Sequence, residues 1–206
     1  LTIINYPDNE TELLSTENNP EDPSAGTRKI PFSKHLYIEQ EDFKESANRK
    51  FFRLTIDKEV RLKSAYIIKA VDCIKDSIGN VVEVLCEYDP KSKSGTGSPE
   101  SLRKVKGTLH WVSIQESRKI SVRLYDRLFM KETPGINLQG DFMQDLNPNS
   151  LTTVEAYSEP SIKESRPGES FQFQRKGYFI ADPDTLKEEL IFNKTVGLRD
   201  SWVKKS

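Results

Sequence analysis

Lys58-Glu59-Val60-Arg61-Leu62-Lys63-Ser64-Ala65-Tyr66-Ile67-Ile68-Lys69-Ala70-Val71 is the stretch on which the fold turns. Apolar Val60 and Leu62 alternate with charged Arg61 and Lys63, the period-two pattern of a strand with one buried face. Asp76-Ser77-Ile78-Gly79-Asn80 follows as a turn signal, and Val81-Val82-Glu83-Val84-Leu85-Cys86-Glu87-Tyr88 as a second run. The two runs read as a β-hairpin. Further strands are expected at 106–114, at Ile120–Leu124, at 152–157 and at Phe171–Gln174. Only 39–51 has helical spacing, with Phe43, Ala47 and Phe51 four apart and acids in the first turn. Many short strands divided by turns make the chain all-β with little helix, and small barrels are expected because closure removes exposed edges. Segments 8–26 and 89–100 read as mobile, the second as an exposed loop with no apolar side chain to bury.

The chain has 206 residues, of which 35% are hydrophobic and 31% charged, enough apolar material for a core. No apolar run approaches the ~18 residues of a membrane span, so no membrane is expected as partner. The start at Leu1 shows no basic n-region with an apolar h-region, so no signal peptide is expected and the chain reads as a piece of something longer. Its two histidines, His35 and His110, and two cysteines, Cys73 and Cys86, match no zinc spacing, so no metal is expected. The cysteines read as reduced core thiols of a cytoplasmic protein. His110 has no Ser or Cys motif beside it and reads as a structural histidine. Lys91-Ser92-Lys93-Ser94-Gly95 resembles a nucleotide-binding signature of class I synthetases, but it lacks the Met and reads as solvated loop. Gly95-Thr96-Gly97 is no P-loop, because no Gly-Lys-Ser/Thr follows.

Net charge is −1, yet the six acids of residues 1–22 stand without a single Lys or Arg. The remainder carries 31 basic against 26 acidic groups. Basic side chains concentrate at 49–75 and 103–127, on strand-like segments suited to a phosphate backbone. The alternative is a solvated, salt-bridged surface.

Six motifs in order carry a resemblance. They are Gly26-Thr27-Arg28-Lys29-Ile30-Pro31-Phe32-Ser33, Lys58 through Tyr66, Arg103-Lys104-Val105-Lys106-Gly107 through His110-Trp111-Val112-Ser113, and Arg123-Leu124-Tyr125-Asp126-Arg127-Leu128-Phe129. Phe171-Gln172-Phe173-Gln174-Arg175-Lys176-Gly177-Tyr178-Phe179 and Phe192-Asn193-Lys194-Thr195-Val196-Gly197-Leu198-Arg199-Asp200-Ser201-Trp202 complete them. The series resembles the C-terminal anticodon-binding region of bacterial glutaminyl-tRNA synthetases. The resemblance implies two small β-barrels related to a 5S-rRNA-binding ribosomal protein. Residues 1–45 and 116–206 would form a barrel proximal to the catalytic body, and 46–115 a distal barrel. A catalytic domain upstream of Leu1 is implied, as a parent enzyme that joins glutamine to its tRNA using ATP and Mg2+. This chain would itself need no cofactor, act as a monomer, and bind the anticodon loop of glutamine tRNA (CUG or UUG) together with its own catalytic domain.

Single-stranded RNA is read on the exposed edges of unstacked bases and by stacking on aromatic or guanidinium planes. The resemblance assigns the first anticodon base to Arg61 and to Lys63, where the family commonly has Arg. It assigns the third base to Arg53, with Phe52 where a Lys is usual and Lys50 where a Gln is usual. Gln172 is matched to the central uridine, together with Gln174 in place of a Glu, and Arg175 at that strand's end. Arg103, Lys104 and Lys106 are candidate phosphate contacts. Asp126 with Arg127, and Arg199 with Asp200, are expected as structural ion pairs, and Trp111, Tyr125 and Trp202 as barrel core. Removal of the acidic 8–22 segment is expected to leave RNA binding intact. Three alternatives stay open: the barrels of a glutamyl-tRNA synthetase, a ribosomal-type structural RNA-binding protein, and a protein-interaction module.

Overall fold

The computed structural model describes residues 1–136, 141–186 and 189–198. They fall into two compact units, Leu1–Ser117 with Glu159–Ser161, and Arg118–Ser158 with the residues from Ile162 on. The first unit holds β1 (Thr2–Ile3), β2 (Glu12–Glu17), β3 (Thr27–Phe32), β4 (Leu36–Ile38), β5 (Glu59–Leu62), β6 (Ile67–Lys75), β7 (Val81–Asp89), β8 (Thr108–Leu109) and β9 (Trp111–Ser113). One five-stranded sheet runs β1-β7-β6-β5-β8, flanked by the pairs β2–β3 and β4–β9. The sheets curl into half-barrels, as expected of an all-β, barrel-type fold.

The decisive stretch is a strand where its alternation says so. In β5, Val60 and Leu62 are buried while Glu59 and Arg61 lie outward. The run does not continue unbroken to Val71, however. Ser64 takes a left-handed φ of 57°, and the Leu62 N–H donates to the Tyr66 carbonyl at 2.8 Å. The chain therefore folds back at Lys63–Ala65, and β5, β6 and β7 form an antiparallel meander in place of a single hairpin. No Gly, Asn or Pro marks that turn; the Ser64 hydroxyl is held instead by the Thr16 hydroxyl at 2.8 Å. At the unit's centre the Phe32 ring meets Tyr6, Tyr66 and Trp111 at 5.1–5.2 Å, edge-on to Tyr6 and Trp111 and tilted to Tyr66. Trp111 is thus core, with its indole N–H donating to the Lys63 carbonyl at 2.9 Å.

Both segments read as mobile are tied down. Within 8–26, β2 pairs with β3 along its whole length and buries Leu14, so removal of 8–22 would open the core. The acids of this segment mislead because they sit on its solvent face and conceal the strand. Glu12 also works inward, accepting from the Tyr66 hydroxyl at 2.6 Å and pairing with Lys93. The 89–100 loop has no apolar anchor, but polar groups replace it. Ser92 is fully buried, its hydroxyl accepting from the Ile67 N–H and donating to the Asp89 carbonyl.

The helix expected over 39–51 is absent. Gln40–Asp42 makes one 3-10 turn, after which Phe43 bridges Leu54 as extended chain. The Lys44 N–H goes to the Leu54 carbonyl, and the Asn48 side chain captures the Lys50 N–H. Such local Asn bonding competes with helix, and three apolar residues with Ala47 exposed give too narrow a face to outweigh it.

The second unit is one five-stranded sheet, built from β10 (Arg118–Tyr125), β11 (Leu151–Ser158), β12 (Ser170–Phe173), β13 (Gly177–Ala181) and β14 (Ile191–Val196). Its order is β11-β10-β14-β13-β12. Phe171 and Phe173 turn inward onto Phe192 and Phe179, with Ile120 and Val122 opposite in the same core. Tyr125 is not core. It is 55% exposed at the end of β10, its hydroxyl donating to Asn193 Oδ1 at 3.0 Å. Asp126 accepts from the Arg127 backbone N–H. The expectations for Arg199, Asp200 and Trp202 lie outside the described residues.

Cys86 is buried and its thiol is pushed up to about 12 by that burial, while Cys73 is half-buried on β6. His110 lies 3.8 Å from Glu159, which also receives both Nε and Nη2 of Arg28 at 2.6 and 2.9 Å. Burial by itself would raise the Glu159 carboxyl, but the hydrogen bonds and charges of Arg28 and His110 outweigh it and hold it at about 2. His110 is therefore a partner in a structural cluster.

Candidate nucleic-acid interface

Arg61 leaves β5 on the face opposite Val60 and Leu62, as strand alternation requires. Its guanidinium does not extend freely into solvent. Nη1 donates to the Ser92 carbonyl at 3.1 Å and the Ser94 hydroxyl at 3.0 Å. Nη2 donates to the Ser101 carbonyl at 2.7 Å and the Arg103 carbonyl at 3.4 Å. Two N–H groups on each terminal nitrogen thus meet four acceptors of the 92–103 loop. Burial, and then the neighbouring Arg103 charge, draw the Arg61 pKa below its ordinary value. The Ser94 hydroxyl passes the chain of bonds on to the Ala65 carbonyl at 2.8 Å, so the loop is fixed to the β5–β6 turn.

Arg53 is held differently. Its Nη1 donates to the Glu41 carbonyl at 3.1 Å and lies 3.0 Å from Asp42 Oδ1 and 3.6 Å from Glu41 Oε1. The Asp42 contact is an ion pair and not an aligned hydrogen bond. Among the described residues, Nη2 and Nε of Arg53 donate no hydrogen bond. That edge is a planar fork with two donors, the geometry that suits bidentate recognition.

The two arginines are joined through Gly107. The Arg61 N–H donates to the Gly107 carbonyl at 2.9 Å, and β8 continues beside β5 in parallel. On its other side the Gly107 Cα faces the Phe52 carbonyl so closely that a Cβ there would stand 2.5 Å from the oxygen. Only glycine permits this approach. Lys106, the preceding residue, sets its Nζ over the Phe52 ring at 5.6 Å, a cation–π contact on a half-exposed phenylalanine. Lys50 is exposed and lines an open polar hollow of about 280 Å³ with Lys44, Asn48 and Phe51. Lys63 is half-buried just beyond β5.

The phosphate candidates divide. Arg103 is committed to Glu59 and Asp89, both at 3.2 Å, which offsets its charge locally. Lys104 is exposed and forms no ion pair among the described residues. In the second unit Gln172 points outward from β12, between the inward Phe171 and Phe173. Gln174 does not share that strand face. β12 ends at Phe173, and Gln174-Arg175-Lys176 make the turn into β13, with Arg175 at a left-handed φ of 65°. Reading the residues alone misses Glu41 and Asp42, which hold Arg53, and Ser92, Ser94 and Ser101, whose loop holds Arg61. The acids read as a helix start and the serines as solvated loop, because their partners lie far away in the chain.

Among the described residues no group of three or more His, Cys, Asp or Glu is placed to hold a metal, and no helix is long and apolar enough to cross a membrane. The fold defines an all-β protein of barrel type, with arginines and lysines on the strands and loops around β5. Two family models, both described as the anti-codon binding domain of class I tRNA synthetases (E and Q), match residues 1–89 and 108–182. The chain is 53% identical over 205 residues to a glutamine–tRNA ligase of Rhodopirellula baltica, covering 99% of this chain and 34% of that protein. It is 46% identical over 203 residues to one of Clostridium kluyveri and 44% over 205 to one of an Enterobacter species, each covering 36% of the relative. The chain spans about a third of the length of these curated relatives. It belongs to the anticodon-binding domains of the class I tRNA synthetases of the E and Q type.

Proposed function

We propose that this chain is the anticodon-binding part of a glutamine–tRNA ligase and recognises the CUG and UUG anticodons of glutamine tRNA. The observation that carries the reading at the site is Arg53, part-exposed and using only Nη1 for its hydrogen bonds within the described residues, on a chain whose relatives carry that ligase name over nearly its full length. Arg53 is assigned to the third anticodon base, with Lys50 and Phe52 beside it. Lys63 and the Nε of Arg61 are assigned to the first base, and Gln172 with the Gln174–Arg175 turn to the central uridine. Lys104 and Lys106 are assigned to phosphates, Arg103 less so because two carboxylates already neutralise it.

In this reading the ligase's chemistry, with ATP and Mg2+, belongs to a catalytic body elsewhere in the parent protein, which works as a cytoplasmic monomer. One barrel near that body and one far from it belong to the same proposal. The test is competition binding with anticodon stem-loops varied one base at a time, at several salt concentrations. Wild type should prefer the glutamine anticodons over glutamate ones. Its affinity should fall with salt by a slope of about −0.7 per neutralised phosphate, and Lys104→Ala should flatten that slope without changing base preference. Equal affinity for every anticodon would overturn the reading.

A further inference from the structure

The Asp42 side chain is wholly buried, while the Arg53 side chain whose guanidinium it meets is about one-third exposed. A buried ion pair offers little net stability over apolar packing, since removing a carboxylate from water offsets most of the attraction. What it does supply is direction. The Asp42 backbone is held on both sides: its N–H donates to the Glu39 carbonyl at 2.9 Å, and its own carbonyl accepts from the Leu54 N–H at 3.0 Å. Leu54 is itself fully buried and follows Arg53 directly. The carboxylate is thereby stapled beside the backbone that bears the arginine. It meets Nη1, while Nη2 and Nε donate no hydrogen bond among the described residues and the side chain stays about one-third exposed. Glu41, at 3.6 Å and largely exposed, adds only a screened charge.

From this geometry we propose that Asp42 is a positioning residue for third-base recognition, aiming the outer edge of Arg53 at guanine. The inference rests on the assignment of Arg53 to that base, and the experiment separates the two. Binding is measured with glutamine anticodon stem-loops carrying guanine or adenine at the third anticodon position. Asp42→Asn keeps the shape and removes the charge; it should reduce the preference for guanine about ten-fold, the scale of one good bidentate contact. Arg53→Lys keeps a charge for Asp42 but loses the fork, and should reduce the preference as much. Combining the two changes should add nothing further.

If Arg53→Lys retains full preference, the assignment of Arg53 is wrong and the inference falls with it. If Arg53→Lys loses preference but Asp42→Asn retains it, or weakens both stem-loops equally, only the positioning by Asp42 is overturned. Should Asp42→Asn fail to fold, side-chain NMR of the unaltered chain decides. Slow rotation of the Arg53 guanidinium, with resolved Nη signals, supports the inference, and a single averaged signal overturns it.

Discussion

Arg53 and Arg61 stand in one basic stretch, on either side of Gly107, and are held by opposite chemistry. Arg53 is gripped by the carboxylates and carbonyl of Glu41 and Asp42 through one terminal nitrogen. Arg61 is surrounded by the neutral oxygens of Ser92, Ser94, Ser101 and Arg103 through both. A charged partner satisfies an arginine at one corner and leaves its edge available to a ligand. Neutral carbonyls must share the charge among several bonds, and in doing so consume the fork. The same residue type therefore reads outward in one place and builds a loop in the other.

The largest expected effect is on Arg53→Ala, which takes the guanidinium away from the buried Asp42 carboxylate. Breaking a buried pair in this way should lower stability by about 3–5 kcal/mol in urea unfolding, and Asp42→Asn in the same chain should recover part of it. A loss below about 1 kcal/mol would mean that Asp42 is not held as a buried ion.

Acid offers a second handle on carboxylate-held arginines, through Arg28 and Glu159. The folded carboxyl lies at about 2 against an ordinary 4.5. A depressed value stabilises the fold above pH 4.5, and that stability is lost as pH falls from there to 2. The contribution is about 3 kcal/mol, at 1.36 kcal/mol per pKa unit. Thermal unfolding followed across this window should show a steep fall that Glu159→Gln removes. Parallel profiles for the two proteins would refute it.

Gly107→Ala strikes the point where both regions meet. A Cβ 2.5 Å from a backbone oxygen cannot be relieved by turning a side chain, so either Phe52 or β8 must shift. A loss of about 2 kcal/mol is expected, in the range of overpacking, together with changed amide shifts at both Arg53 and Arg61. Shifts confined to one arginine would show that the two regions are not coupled there.

The smallest stability effect is expected from Arg61→Ala, about 1–2 kcal/mol, because three of its four acceptors belong to half-buried or exposed residues and water can replace the guanidinium in part. Its effect should be local. Amide exchange should quicken at Ser94 and through 92–103 while the β6–β7 ladder stays protected. Discrimination at the first anticodon base should fall less than third-base discrimination falls in Arg53→Lys. A first-base loss equal to or larger than that would make Arg61 a base reader of the same kind and erase the contrast.

The strands were legible where alternation is strong. Val60 and Leu62, Val84 and Cys86, and Ile120 and Val122 lie inward in the structure, as their period of two requires. The resemblance carried by the ordered motifs was legible too, and it marked Arg53, Arg61 and Gln172 as candidates. What misled were local signals without their distant partners. Phe43, Ala47 and Phe51 imitate a helix face, yet Leu54 takes the backbone bonds of Asp42 and Lys44 and draws that segment into extended chain. The acids of 8–22 imitate disorder, yet Leu14 and the β3 ladder make a strand of them.

By itself the sequence determined the all-β class, the inward faces of the strands and which side chains bear charge, because these depend on residue type and on spacing within a few residues. Only the tertiary structure decided what each charge does. Arg61 meets its loop some thirty to forty positions away, and Arg53 meets Asp42 across a backbone that had first to refuse a helix. Hydrogen bonds and ion pairs act over about 3 Å in space with no memory of distance along the chain. Whether an arginine is spent or available is therefore settled by folding, after the pattern has already chosen the strand on which it stands.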